Sequence, residues 1–163
     1  MDDLFAPPAY AWKRISPAWC RLHRLTSIIA WPLVASVPAV IVGLVSGRWW
    51  ISGLIWGLAA ALIVVDLVLV GRNYRAWGYV ERAEDLYITR GVMFRSLVAV
   101  PYGRMQLVEV NSGPLERAFG LATVTLKTAS PETNATIPGL DPVEAARLRD
   151  RLTELGETRD SGL

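Results

Sequence analysis

Leu25–Gly47, LTSIIAWPLVASVPAVIVGLVSG, is a run of 23 residues without a charged side chain. As an α-helix it is about 34 Å long, enough to cross a hydrocarbon core of about 30 Å with some tilt. One cation, Arg48, separates it from a second uncharged run, Trp49–Val65, which continues past Asp66 to Gly71. The link of Ser46, Gly47 and Arg48 is so short that the two helices are expected to form a tight antiparallel hairpin, with each backbone satisfied internally. A cleaved signal peptide is disfavoured, because the first run is too long, begins too late and lacks a small-residue cleavage pattern behind it. With 52% hydrophobic residues and a mean hydropathy of +0.31, the chain is too apolar for an ordinary soluble domain.

Orientation follows from the cations near the helix ends. Lys13, Arg14, Arg21 and Arg24 precede the first run, Arg72, Arg75 and Arg82 follow the second, and only Arg48 lies in the link. The positive-inside rule then expects a multi-pass membrane protein with both termini in the cytoplasm. Residues 1–80 carry seven Lys/Arg against three Asp/Glu, whereas residues 81–163 carry ten against twelve. The basic excess therefore suits lipid headgroups, and no nucleic-acid partner is expected. All seven Trp fall between positions 12 and 77; Trp19, Trp31, Trp49, Trp50 and Trp77 are expected as interfacial anchors.

Inside the spans, small residues recur at every fourth position: Ala35, Ala39, Gly43 and Gly47 in the first, Gly53, Gly57 and Ala61 in the second. Such stripes permit close helix packing, either within the hairpin or against another membrane protein. Asp66 is the one ionisable residue within a span. Three readings stand for it: an interfacial carboxylate held by Trp31, Ser27 or Arg24, a contact to a partner subunit, or part of an ion path. Ser16 followed by Pro17 is an N-cap with proline at the first helical position, so a helix is expected to start there. Cys20 and His23 in its first turns are assigned no function.

Beyond a linker at 72–78 the pattern changes to short β-rich segments. Leu86 and Ile88 alternate with Tyr87 and Thr89, and Val124 and Leu126 alternate with Thr123, Thr125 and Lys127, which marks half-buried strands. Further strands are expected at 79–82, 94–100, 105–110 and 135–137, with either a bulge or a switch between faces in the imperfectly alternating 105–110 segment. Gly91, Pro101 with Gly103, Ser112–Pro114 and Ser130–Pro131 punctuate an antiparallel meander. The last element is an amphipathic helix: Asp141 as N-cap, Pro142 at N1, Glu144 at N3, Ala145, Leu148, Leu152 and Leu155 on one face, and Gly156 just past its end. The segments divide as a basic leader over 1–24, a transmembrane hairpin over 25–71, a mainly-β domain over 72–156 and a tail over 157–163.

Leu86–Gly91, Val100–Val108 (VPYGRMQLV) and Gly113–Val124 (GPLERAFGLATV) resemble the bacterial pleckstrin-homology (PH) domain of the YdbS-like membrane-protein family. The order of parts, a basic leader with Ser-Pro, two spans and then this domain, is similar too. Met105 stands where the family usually has Ile. The resemblance implies a PH-like barrel capped by the C-terminal helix, held at the cytoplasmic face of the membrane, and frequent pairing with a larger relative. Its motif residues here are Pro101, Tyr102, Arg104, Gln106, Arg117, Phe119 and Gly120. Pro101 and Gly103 are expected to set a turn, Gly120 to end a short helical or turn segment, and Arg104 and Arg117 to tie loops to the sheet, with direct ligand contact as the alternative.

Catalysis is disfavoured: the chain has no Gly-rich phosphate loop, no G-x-S-x-G, no H-E-x-x-H and no Cys-x-x-Cys, and its single His lies in the leader. No metal or cofactor is expected. The reading is a non-enzymatic membrane scaffold or assembly subunit, partnered by a membrane protein of the same family or by a second copy. The alternative is a sensor of anionic lipid.

Overall fold

The structure is a computed structural model and describes residues 11–129 and 134–160. Its elements are α1 (Pro17–Ser46), α2 (Trp49–Ala76), β1 (Gly78–Glu81), β2 (Asp85–Arg90), β3 (Ser96–Pro101), a 3-10 turn (Tyr102–Arg104), β4 (Met105–Asn111), α3 (Pro114–Ala118), β5 (Ala122–Thr128), β6 (Ala135–Leu140) and α4 (Pro142–Asp160). They form two compact units, residues 20–72 and residues 11–19 with 73–160.

The first unit is the helical pair. Ser16 Oγ accepts a hydrogen bond from Ala18 N at 3.3 Å, the expected cap, and α1 then continues through Pro32 and Pro38. Gly47, with φ +64°, ends α1 by donating its N–H to Gly43 O at 3.1 Å, as a left-handed glycine does beyond a helix. Both helices are long and apolar enough to cross a membrane, with mean hydropathies of 2.3 and 2.5. The expected linker at 72–78 is mostly helix, because α2 runs on through Arg72, Asn73, Tyr74 and Arg75 to Ala76. No proline interrupts this stretch, and Arg75 in the last turn complements the negative end of the helix dipole.

The second unit holds all six expected strands, in two antiparallel sheets ordered β1-β2-β3 and β4-β5-β6. The strands form these two sheets rather than the closed barrel expected: no ladder among the described residues joins them into a ring. Leu86 pairs with Val100 and Ile88 with Val98 in the first sheet, and Val110 pairs with Val124 and Val108 with Leu126 in the second. The bulge in β4 lies between Met105 and Leu107. β3 starts at Ser96 rather than near Phe94, since Gly91 at φ +94° turns the chain and 91–95 form the connection. The turn expected at Ser130–Pro131 lies outside the described residues.

Leu86, Val100, Leu121, Val124, Leu126 and Ile137 are fully buried, as are Ala145, Leu148 and Leu152 of α4. That helix packs on β4, β5 and the 3-10 turn. Asp141 caps it, its Oδ1 accepting from Val143 N at 2.9 Å. Gly156 does not end it: α4 continues to Asp160, and Thr158 Oγ1 donates to Glu154 O at 2.6 Å within the added turn. Gly156 lacks the positive φ that would stop the helix.

The leader, set apart in the sequence as 1–24, contributes its residues 11–19 to this unit. Lys13 and Tyr79 exchange backbone hydrogen bonds of 2.9 Å in each direction, so the leader adds one bridge to the edge of β1. Ser16 N donates to Gly139 O at 2.7 Å. Gly139, at φ +67°, sits in the bulge where Ala122 pairs with Leu140 and Val124 with Ile137. A Cβ there would lie 2.5 Å from Trp19 Cδ1, so glycine is what admits the indole. Trp19 is consequently 8% exposed and a core residue of this unit, not the interfacial anchor expected.

Candidate functional site

Three places concentrate the candidate residues. In the helical pair, Ala35, Ala39 and Gly43 of the first stripe are buried. A Cβ on Gly43 would stand 2.6 Å from the Trp49 ring, and Ser52 Oγ donates to Ala39 O at 2.7 Å. On α2 the buried small residues are Ser52 and Ala59, seven positions apart. Gly53, Gly57 and Ala61 are exposed, and the two glycines have open space where a Cβ would be. The first stripe is thus consumed inside the hairpin and the second lies on its outer surface; Gly47 is a turn residue. Ser52, lost between more conspicuous glycines, is signalled only by its heptad spacing to Ala59.

Asp66 accepts from Ser27 Oγ, which also lies 2.9 Å from His23 O. Of the three expected holders, Ser27 is the one that bonds it. Arg24 lies instead against Gly71, its Nη2 3.2 Å from where a Cβ would be. Arg21, Arg24 and Arg72 therefore belong to one end of the pair, and Arg48 to the other. Arg14, Arg21, Arg24, Arg72 and Arg75 are exposed.

Lys13 and Arg82 have partners. Lys13 Nζ lies 3.2 Å from Glu81 Oε1 and 3.1 Å from Glu144 Oε1, while Arg82 Nε is 3.6 Å from Asp85 Oδ1 and its guanidinium carbon lies 4.7 Å above the centre of the Tyr87 ring. Arg147 joins the Lys13 cluster, its Nε donating to Glu144 Oε2 at 2.8 Å and its Nη groups to Glu81. Tyr79 OH donates to Glu144 Oε1 at 2.8 Å. Hydrogen bonds from Arg147, against some desolvation, hold the Glu144 carboxyl down to about 2. Glu81 is desolvated as well, yet the bonds from Arg147 and Lys13 prevail and lower it. Burial, then the bond to the Glu144 carboxylate, raises the Tyr79 phenol. These groups are mutually neutralised, so the cluster clamps leader, β1 and α4 together.

Of the motif residues, Arg104 and Gln106 line a groove of about 950 Å³ between β4 and the end of α4, with Leu107, Thr128, Thr153 and Glu157, whereas Pro101, Tyr102, Arg117, Phe119 and Gly120 lie outside its lining. Pro101 closes β3 with φ −65° and leads into the 3-10 turn. Tyr102 is buried, its OH donating to Arg82 O at 2.9 Å. Gly120, at φ +62°, follows α3, and Phe119 N donates to Leu115 O at 3.2 Å. Arg104 and Arg117 do not tie loops to the sheet: both are exposed, and neither makes a side-chain bond among the described residues. That anchoring falls to Glu116, whose carboxylate accepts from Gly113 N and from Thr123 Oγ1, each at 2.9 Å. Glu116 is at the third position of α3, a capping signal visible in Gly-Pro-Leu-Glu.

The family model described as Bacterial PH domain matches residues 25–156. The chain is 32% identical over 154 residues to the UPF0699 transmembrane protein YdbS of Bacillus subtilis (strain 168), a similarity covering 91% of this chain and 94% of the relative. No solved structure matches.

Proposed function

The chain belongs to the bacterial PH domain family, and from that premise we propose that it is a non-enzymatic assembly subunit that pairs in the membrane with a relative or a second copy. The hairpin spans the cytoplasmic membrane twice with both ends inside, and it presents the PH-like module, a barrel built from its two sheets, on the cytoplasmic side. The observation that carries the pairing is the division of the two stripes. Ala35, Ala39 and Gly43 are used between α1 and α2, while Gly53, Gly57 and Ala61 remain on the outer surface of α2. In lipid, where apolar burial gives helices no reason to associate, surfaces of small residues are where backbones approach and dispersion accumulates. The PH-like fold by itself assigns no activity.

The test is crosslinking in native membranes of Gly53→Cys and Gly57→Cys in a Cys20→Ala background, with Leu54→Cys as the neighbouring control. The pairing predicts an adduct of more than one chain from positions 53 and 57 and little from 54. Monomers at all three positions would contradict it.

A second reading, the sensing of anionic lipid, is favoured by the exposed Arg14, Arg21, Arg24, Arg72 and Arg75. Topology alone requires cations of this kind, so the lipid reading stands second. It predicts that exchanging anionic for zwitterionic lipid alters the module's protease sensitivity in reconstituted full-length protein.

A further inference from the structure

Phe94 is 87% exposed and its neighbour Met93 79%. Single apolar side chains on a surface are ordinary, but these two are adjacent at the tip of the β2–β3 connection. Gly91 makes the tip: at φ +94° it brings the chain back so closely that a Cβ would collide with Phe94 O. Arg90 pairs with Ser96 at the base, so the tip is a five-residue turn with Arg90 and Arg95 on its shoulders.

Register fixes where on the sheet this tip lies. Gly78 pairs with Thr89, so the tip shares the sheet end at which the chain arrives from α2. Gly78 is two residues beyond the last residue of α2, and Gly71, where the uncharged run stops, is five residues before that helix end. Five helical residues and two extended ones, at most about 15 Å of chain, join Gly71 to Gly78. Glu81, Arg82, Glu84 and Asp85 lie at the opposite end, where Glu81 pairs with Leu86 and Asp85 with Pro101, and there Lys13 and Arg147 offset Glu81 and Arg82 offsets Asp85.

We propose that the Gly91–Arg95 turn dips Met93 and Phe94 into the leaflet in which α2 ends, with Arg90 and Arg95 at the depth of the lipid phosphates. The occupant of this apolar surface is the bilayer: the tip protrudes, it carries cations beside its apolar pair as a headgroup-penetrating turn requires, and only a short tether joins its sheet to the apolar run. The proposal rests on the membrane anchoring of the chain and is independent of pairing through α2.

The test uses the full chain in a Cys20→Ala background, reconstituted in vesicles of phosphatidylglycerol and phosphatidylethanolamine, with an environment-sensitive fluorophore on one cysteine at a time. Phe94→Cys reports the tip, Val64→Cys the anchor, and Val143→Cys, at a residue 79% exposed, the aqueous surface of the module. Expected are blue-shifted emission and quenching by nitroxide lipid at 94 and 64, and neither at 143. Adding Arg90→Gln is expected to shift the in/out equilibrium at 94 about fivefold outward. Quenching at 64 with aqueous emission at 94 would overturn the loop proposal alone. A blue shift at 94 without lipid quenching would overturn it in favour of a protein cover, and absence of quenching at 64 would remove the anchoring and the proposal together.

Discussion

On α1 and α2 the large apolar side chains, Leu33, Val45, Leu54 and Val64 among them, are exposed, and the small Ala35, Ala39, Ser52 and Ala59 are buried. In the β module the arrangement is inverted: Leu86, Val100, Val124 and Leu126 are buried, and Arg104, Arg117 and Lys127 are exposed. Two solvents explain the contrast. The module is held by withdrawing apolar surface from water, whereas a helical pair in lipid is held by close backbone approach and by bonds such as Ser52 to Ala39 O. One leucine-to-alanine change should therefore cost much in the module and little on the outer surface of the helical pair.

Leu126→Ala, in the module core, is expected to destabilise it by about 2–5 kcal/mol, through lost burial and the cavity left behind. Thermal unfolding followed by near-ultraviolet circular dichroism in detergent reads this directly. A small change there would mean that the module lacks a tight core and would break the comparison at its stronger side.

Gly139→Ala is expected to cost about 1–3 kcal/mol, from backbone strain at φ +67° and from the collision with Trp19. Because Trp19 is the last leader residue of the module, the variant should also increase proteolysis near residues 11–19. Undisturbed protection there would show that the leader docks without the indole.

Acid sharpens the contrast next. Glu144, held at about 2 against an ordinary 4.5, contributes stability that is fully present above pH 4.5 and is lost as the pH falls toward 2. Glu81 shifts in the same direction. The module's melting temperature should fall through that window, and Glu144→Gln should flatten the fall; an unchanged slope would remove the clamp from the account. Leu33→Ala, on the outer surface of α1, has the smallest expected effect, within about 0.5 kcal/mol of the parent, because the leucine leaves one apolar medium for another. A loss as large as that of Leu126→Ala would show that Leu33 is covered by protein.

Much of this organisation is written locally. Alternation marks β2 and β5, the long uncharged runs mark α1 and α2, and Asp141-Pro142 marks the start of α4, since each depends on residues a few positions apart. Contacts between distant segments are not written that way. Nothing near Lys13 announces that its backbone pairs with Tyr79 or that its ammonium meets Glu81 and Glu144. Trp19 resembles every other interfacial tryptophan until Gly139, 120 residues away, opens a place for it. The stripes show the same limit: periodicity finds the small residues of α2, and only the packed pair shows that Ser52 and Ala59, not Gly53 and Gly57, face inward. Arg104 and Arg117 look like ties because arginines beside turns often are, whereas Glu116 performs that task.

The proposed topology puts the hairpin's short turn and the β module on opposite sides of the bilayer. Labelling with a membrane-impermeant maleimide in intact bacterial cells tests it most directly, using Arg48→Cys for the turn and Val143→Cys for the module in a Cys20→Ala background. The account predicts reaction at 48 in intact cells and at 143 only after permeabilisation. Reaction at 143 in intact cells, with 48 protected, would contradict it.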